Sequence, residues 1–97
     1  MKDIKMNFSL DIFQSSKVSD EKGGFFLEWK KKMTIYADIC RIREGYVATV
    51  FDDPGIEIGQ KVFWQSLEKK FYFSIFAIES MTNCRYAKLF LKNVEIV

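Results

Sequence analysis

The chain of 97 residues carries 15 lysines and arginines against 13 aspartates and glutamates, and 48% of its residues are apolar. This length predicts one domain over residues 1–97, and this apolar content excludes an intrinsically disordered chain. The nearly balanced charge permits a nucleic-acid partner without requiring one, since domains dedicated to nucleic acid usually carry a larger positive charge.

The first predicted strand lies near the N-terminus. Apolar residues at the even positions of residues 4–12 alternate with polar residues, as expected for a strand that buries one face. Residues 14–24 are polar and end in Gly23 and Gly24. This second segment therefore predicts an exposed loop.

The longest predicted strand begins at Phe25. Its odd positions are apolar: Phe25, Leu27, Trp29, Met33, Ile35, Ala37 and Ile39. Because no turn residue interrupts this series at Lys30, Lys31 or Lys32, we expect one long strand, bent or bulged near the lysines. A tight turn at Glu44 and Gly45 then returns the chain as a strand over residues 46–51.

A second turn follows at Asp52, Asp53, Pro54 and Gly55. Proline suits the first corner of a type II turn, and glycine suits the positive φ of the second corner. The next strand is predicted over residues 56–64, with a bulge at Gly59.

Residues 65–81 admit two interpretations. Leu67, Phe71, Ile75 and Ile78 share one face of a helix, but the segment is rich in strand formers that are apolar on both faces. A central strand is therefore favoured, with a helix near residues 65–80 as the alternative. A turn over residues 80–83 and a last strand over residues 87–97, either bulged near Asn93 or buried on both faces, complete the chain.

These elements predict a mainly β fold, or an α+β fold if the helix forms. We expect a small, strongly twisted antiparallel sheet or a partly closed barrel, because a first hairpin with such a long strand must coil.

The residue types argue against catalysis. The chain has no histidine, which removes the commonest general base and metal ligand and excludes histidine-containing triads within one chain. Cys40 and Cys84 lack the neighbouring ligands of a zinc site, and the glycines match no phosphate-binding loop. We therefore expect a protein that is not an enzyme and that binds no cofactor and no metal.

Two groups of acidic residues each admit an interpretation as a metal-binding site. Asp20 followed by Glu28 and Lys30 outlines a magnesium-dependent nuclease site, although a chance match on the polar face of a strand is the favoured interpretation. Asp52 and Asp53 are interpreted as turn residues rather than as a cation site, because aspartate forms local hydrogen bonds in turns.

The candidate binding surface is a sheet face that mixes aromatic rings with lysines. It consists of Phe26, Trp29, Lys30, Lys32, Tyr36, Tyr46, Tyr72 and Lys88. Ten phenylalanines, four tyrosines and two tryptophans exceed what one small core accommodates, so we expect contacts with a protein partner or a second copy. Single-stranded nucleic acid, stacked on rings and neutralised by lysines, is the alternative partner.

The N-terminal ten residues have no continuous apolar core, so they predict neither a signal peptide nor a membrane anchor. No window approaches the roughly eighteen apolar residues of a membrane span. We therefore expect a cytoplasmic protein with reduced cysteines. The composition prompts the further hypothesis of a small adaptor or inhibitor encoded by a phage or another mobile element.

Overall fold

The computed structural model describes residues 6–66, 68–81 and 85–94 of the chain. Its secondary structure consists of six strands: β1 Phe8–Ser19, β2 Phe25–Ile42, β3 Gly45–Phe51, β4 Lys61–Ser66, β5 Lys69–Ser80 and β6 Tyr86–Asn93. The described residues form no helix, so none in this part of the chain is long and apolar enough to cross a membrane. The mainly β prediction is confirmed, and the strand is the correct interpretation of the segment near residues 65–80.

The six strands form one antiparallel sheet that closes on itself in a ring. The order around the ring is β1-β2-β3-β6-β5-β4, and β4 pairs back with β1. This last pairing is short, because it joins only Asp11 to Phe63, Ile12 to Val62 and Phe13 to Lys61. The ring therefore uses only the N-terminal half of β1.

Alternate side chains of each strand fill the ring. The fully buried ones include Leu10 and Ile12 from β1, Phe73 and Ile75 from β5, and Leu89 from β6. Burying a side chain of this size stabilises a fold by about 1.5–3 kcal/mol before entropy is subtracted. The alternation predicted for the first strand is confirmed over its described residues, whereas residues 4 and 5 lie outside them.

A bulge divides β2 into two parts. Ile12 pairs with Met33 but Phe13 pairs with Lys31, so Lys32 is the extra residue on β2. The bulge predicted near the lysines is confirmed. The expectation of one continuous apolar face is wrong, because an extra residue moves every side chain before it to the opposite face.

The loops differ from prediction in three places. β1 continues to Ser19, so residues 14–19 are strand and the predicted loop over residues 14–24 is reduced to residues 20–24. β4 begins at Lys61 rather than at residue 56. The cause is the buried Gln60, whose side chain accepts from the Glu57 backbone N–H at 2.9 Å and donates to the Gly55 carbonyl at 2.9 Å. These bonds hold residues 55–60 as a loop, in which Gly59 has a φ of +97° instead of forming a strand bulge.

The turn before this loop is present but is not of type II. The Ile56 N–H donates to the Asp53 carbonyl at 3.1 Å, while Gly55 lacks the positive φ that type II requires. The Asp53 carboxylate accepts the Gly55 N–H at 2.7 Å, which is the local hydrogen bonding expected of aspartate in a turn.

The last strand ends earlier than predicted. β6 stops at Asn93, and the irregularity in its pairing lies on β5 at Phe76 rather than near Asn93. The predicted turn over residues 80–83 and the end of the strand at residue 97 fall partly outside the described residues.

The tight turn between β2 and β3 occurs at Arg43 and Glu44, next to the predicted position. Gly45 follows with a φ of +154°, and a Cβ added there would collide with the carbonyl oxygen of Leu91 on β6. A glycine is therefore required where β3 and β6 approach each other.

Substitution of Gly45 tests this close approach. Gly45→Ala should lower the free energy of unfolding in urea by more than about 2 kcal/mol, because it adds a backbone collision to an unfavourable φ. Gly23→Ala is the matched control, since Gly23 also has a positive φ, +87°, but open space around it. Equal losses in the two variants would contradict the assigned packing of β3 against β6.

Candidate functional site: the projecting β1–β2 arm

Two strands of the sheet extend beyond the ring. The pairing of β1 with β4 ends at Phe13, and the pairing of β2 with β3 ends at Ala37. From Gln14 opposite Lys30 to Ser19 opposite Phe25, β1 and β2 pair only with each other among the described strands. We call residues 14–30 the arm.

The arm accounts for the elongated shape of the molecule. Six residue pairs of a β ribbon span about 20 Å, and the molecule measures 57 Å along its longest axis against 33 and 22 Å along the others. A two-stranded ribbon of this kind is at best marginally stable alone in water.

Three consecutive residues expose apolar side chains on the arm. Phe25 is 72% exposed, Phe26 is 51% exposed and Leu27 is 59% exposed. Consecutive residues of a strand point to opposite faces, so both faces of the arm carry exposed apolar surface. Single exposed apolar residues are common on monomeric proteins, whereas these three are contiguous along the strand.

All apolar side chains of the arm except Val18 lie on β2. On the face that continues the outside of the ring, Phe25 lies opposite Ser19, Leu27 opposite Lys17 and Trp29 opposite Ser15; on the other face, Phe26 lies opposite Val18. On the outer face β1 therefore offers no apolar neighbour to β2. These apolar side chains therefore lie on the strand whose other edge is unpaired among the described strands.

The base of the arm is polar and basic. The ammonium group of Lys61 lies 4.2 Å from the centre of the Trp29 ring, which independently places Trp29 on the outer face. Lys30 Nζ lies 3.8 Å from Glu28 Oε2, and Lys31 Nζ lies 3.5 Å from Asp11 Oδ1. Exposed ion pairs of this kind contribute between about 0 and 1 kcal/mol, so they affect the local electrostatic potential more than the stability of the arm.

The tip of the arm is an ordered turn. The Asp20 Oδ1 atom accepts the Lys22 N–H at 2.8 Å and the Gly24 N–H at 2.9 Å, and the Asp20 N–H donates to the Gly24 carbonyl at 3.1 Å. The hydrogen bonds from Lys22 and Gly24 hold the pKa of Asp20 below its usual value of 3.8. In the structure the acidic residues of the nuclease hypothesis, Asp20 and Glu28, thus have local partners, and no three potential metal ligands converge within the described residues.

The predicted binding residues do not form one surface. Phe26, Trp29 and Lys30 lie on the arm, on both of its faces. Lys32 lies at the bulge, where its ammonium group donates to the Gly55 carbonyl at 2.9 Å. Tyr36 is 63% exposed on β2, where it lines a shallow depression with Phe51.

The remaining three predicted residues lie away from the arm. Tyr72 packs on Phe63, with ring centres 4.9 Å apart, and Lys88 lies on β6 opposite Thr49 and Glu79. Tyr46 is half-buried.

Tyr46 belongs to an aromatic cluster at the end of the ring. Its ring centre lies 6.1 Å from that of Trp64, 6.2 Å from that of Phe71 and 5.1 Å from that of Phe73. Trp64, Phe71 and Tyr46 also border an open cavity of about 600 Å³. This cluster accommodates several of the rings that were expected to exceed the capacity of the core.

Phe25 and Leu27 were missed as candidate binding residues. The alternation of β2 assigned them to the buried face, whereas the bulge turns them outward. The available signal was the polarity of Ser15, Lys17 and Ser19. If residues 14–19 form a strand, these three residues offer no apolar partner to Phe25 and Leu27.

Comparison with known protein families and with curated proteins found no match to this chain. The functional interpretation therefore depends on geometry. The arm offers exposed apolar side chains, an unpaired strand edge and a charged base, which together are suited to binding a macromolecule.

The tip turn provides a test of the arm's order in solution. Because the folded pKa of Asp20 is lowered, its carboxylate should stabilise the turn above the unfolded pKa, and this contribution should disappear as the pH falls through the folded pKa. The amide resonances of Lys22 and Gly24 should shift with a midpoint below 3.8 in an NMR titration. Asp20→Asn should abolish this titration, and a midpoint at or above the usual value would contradict the hydrogen bonds of the turn.

Proposed function

We propose that the protein is a non-catalytic binding module that acts through protein–protein contacts made by the arm. The observation that carries this proposal is the exposure of Phe25, Phe26 and Leu27, at 72%, 51% and 59%, on a ribbon that projects from the ring. A cytoplasmic adaptor or inhibitor of this size, possessing one projecting arm, would act by occupying a surface of its partner. The hypothesis of a phage or mobile-element origin belongs to the same proposal.

The energetics support a partner on the arm. Complete burial of an exposed Phe or Leu side chain contributes about 1.5–3 kcal/mol. Phe25, Phe26 and Leu27 are already partly buried in the free chain, so each would contribute less than this on binding. Main-chain hydrogen bonds to an unpaired strand edge add affinity in many peptide and protein complexes. The combination offsets a substantial part of the entropy cost of association.

Other exposed apolar residues of the described chain support a partner less well. The Phe51 ring stacks on Tyr86 at 5.1 Å between ring centres, and Phe76 lies 6.2 Å from Phe90. Ile58, which is 64% exposed, is the only exposed large apolar residue described in the loop between β3 and β4. Isolated residues and ring pairs of this kind are common on monomeric proteins.

Site-specific photo-crosslinking tests the proposal. A benzophenone side chain in place of Phe26 should give covalent adducts with protein in the source cell, because this position is in the predicted contact. The matched control carries the same side chain in place of Phe51, which is 55% exposed on the ring. Absence of protein adducts at position 26, or equal adducts at both positions, would contradict contact through the arm.

Single-stranded nucleic acid is the second candidate partner. The observation that favours it is the Lys61 ammonium group over the Trp29 ring, with Lys30, Lys31 and Lys32 following along β2. Rings that stack on bases and lysines that neutralise phosphates are the usual elements of such sites.

The second candidate makes a distinct prediction. Affinity for a single-stranded oligonucleotide should fall steeply with salt and should be lost in Lys32→Ala or Tyr36→Ala, as measured by fluorescence anisotropy. Lys70→Ala, which removes an exposed lysine from β5, is the control that should bind normally. Unchanged affinity in the first two variants, or salt-independent binding, would contradict this function.

A further inference from the structure

The cavity at the end of the ring combines aromatic walls with charged groups at its rim. Its volume is about 600 Å³. It is lined by Tyr46, Trp64, Ser66, Glu68, Lys69 and Phe71. Mainly apolar cavities of this size with a few polar groups are typical small-molecule sites, and the open ends of closed sheets are one of their usual places. Residues 14–30 of the arm, all of them described, do not line it, so this site is separate from the proposed protein contact.

The inner wall of the cavity is an array of nearly parallel rings. Trp64 and Phe71 stack with ring centres 5.0 Å apart and planes inclined by 24°, and the Phe73 ring is parallel to Phe71 within 3° at 6.1 Å. Exposure increases toward the cavity, because Phe73 is fully buried, Trp64 is 9% exposed and Phe71 is half-buried. A planar aromatic ligand placed against Phe71 extends this array, since rings prefer offset-stacked or edge-on contacts at about 4.5–7 Å.

The next pair of side chains outward from these rings is polar. On β4 and β5, Trp64 lies opposite Phe71, and nearer the hairpin turn Ser66 lies opposite Lys69. Residues two apart on a strand share a face, so this polar pair lies about 7 Å beyond the ring pair on the same side of the sheet. A hydroxyl and an ammonium group side by side both donate to a carboxylate, and charge-assisted hydrogen bonds are strong ones. A ligand with its ring on Phe71 therefore directs an attached carboxylate toward Ser66 and Lys69.

Glu68 supplies the opposite charge at the rim. It lies in the turn between β4 and β5, next to Lys69 in the chain, and it also lines the cavity. Both side chains are exposed, and neither forms an ion pair with a residue that the structure describes. A carboxylate accepts hydrogen bonds from an ammonium group. The cavity therefore offers an acceptor for a ligand's ammonium group as well as donors for its carboxylate.

From this arrangement we infer that the cavity binds a free aromatic amino acid. Its ring lies against Phe71 and Trp64. Its α-carboxylate accepts hydrogen bonds from Ser66 and Lys69, and its α-ammonium group donates to Glu68. An aromatic residue inside a peptide has neither charged group and a terminal residue has only one, so the three kinds of contact together select the free amino acid. The inference goes beyond the proposed function, because it assigns a second site that does not involve the arm.

A series of related ligands tests the inference. L-Tryptophan titrated into isotope-labelled protein should shift the amide NMR resonances of Ser66, Lys69 and Phe71, and these shifts give its Kd. Tryptamine lacks the carboxylate and indole-3-propionate lacks the amine, so each should bind about fivefold more weakly through the loss of one exposed ion pair. L-Leucine is the matched control ligand. It carries both charges without a ring and should bind about tenfold more weakly than L-tryptophan.

Substitutions at the rim separate the two charges. Lys69→Ala should weaken binding of L-tryptophan and indole-3-propionate by about fivefold but should not weaken tryptamine, whereas Glu68→Gln should weaken L-tryptophan and tryptamine but not indole-3-propionate. Phe71→Leu should weaken all three ligands, because it removes the stacking ring. Lys70→Ala is the matched control, since Lys70 is exposed beside Lys69 on the opposite face of β5, and it should leave all three affinities unchanged.

The outcomes decide the inference without reference to the arm. Absence of amide shifts at residues 66, 69 and 71 with every ligand, or equal affinity for L-leucine and L-tryptophan, would overturn it. Equal affinity for L-tryptophan and its two analogues would overturn it as well, because the rim charges would then have no part in binding. Cross-linking at Phe26 should be the same in Lys69→Ala as in the wild-type chain, so either proposal can fail while the other stands.

Discussion

The bulge at Lys32 is the constraint on which the rest of the molecule depends. β2 runs for 18 residues and serves two structures, the ring and the arm. On the ring side, Met33 and Ile35 point inward and pack on the core. On the arm side, the extra residue reverses the alternation, so that Trp29 lies outside under Lys61 and Leu27 is exposed to solvent. Without the extra residue, Trp29 and Leu27 would lie on the inner face of β2, as Met33 and Ile35 do. The bulge therefore determines which face of the arm carries Phe25, Leu27 and Trp29.

The arm and the ring are stabilised by different interactions. The ring encloses a continuous apolar core, to which an aromatic cluster around Trp64 adds parallel and edge-on ring contacts. The arm has backbone pairing, a few exposed ion pairs and an ordered turn at Asp20, while the exposed Phe25 and Leu27 side chains contribute little burial to its stability. Selection for folding alone would favour polar residues at these two positions. The conflict between local stability and exposed apolar surface is typical of functional segments.

The elements of the ring were largely predictable because their signals are local. Alternation identified β1 at Leu10 and Ile12, the lysine triplet indicated the bulge, and the turn residues located the β2–β3 hairpin. The arm was not predictable from these signals, because its form depends on where β3 and β4 stop pairing. Because both faces of the arm are in contact with water, its β1 strand is as polar as a loop. Tyr46 illustrates an avoidable error: it shares its alternation with the buried Ala48 and Val50, which indicated an inward ring rather than a binding surface.

The arm's apolar edge is short and bounded, which distinguishes a specific contact from an aggregation site. Long flat apolar edges invite unlimited pairing, and proteins limit them with charges and turns. Here the apolar run begins after Gly24 and ends at Glu28, and the opposite edge of the ribbon is protected by Lys17 and its neighbouring serines. Once the β2 edge is occupied, only the protected β1 edge remains, so further strands have no apolar edge to join. The arrangement of polar residues around Phe25, Phe26 and Leu27 therefore favours a single added strand and opposes fibre growth.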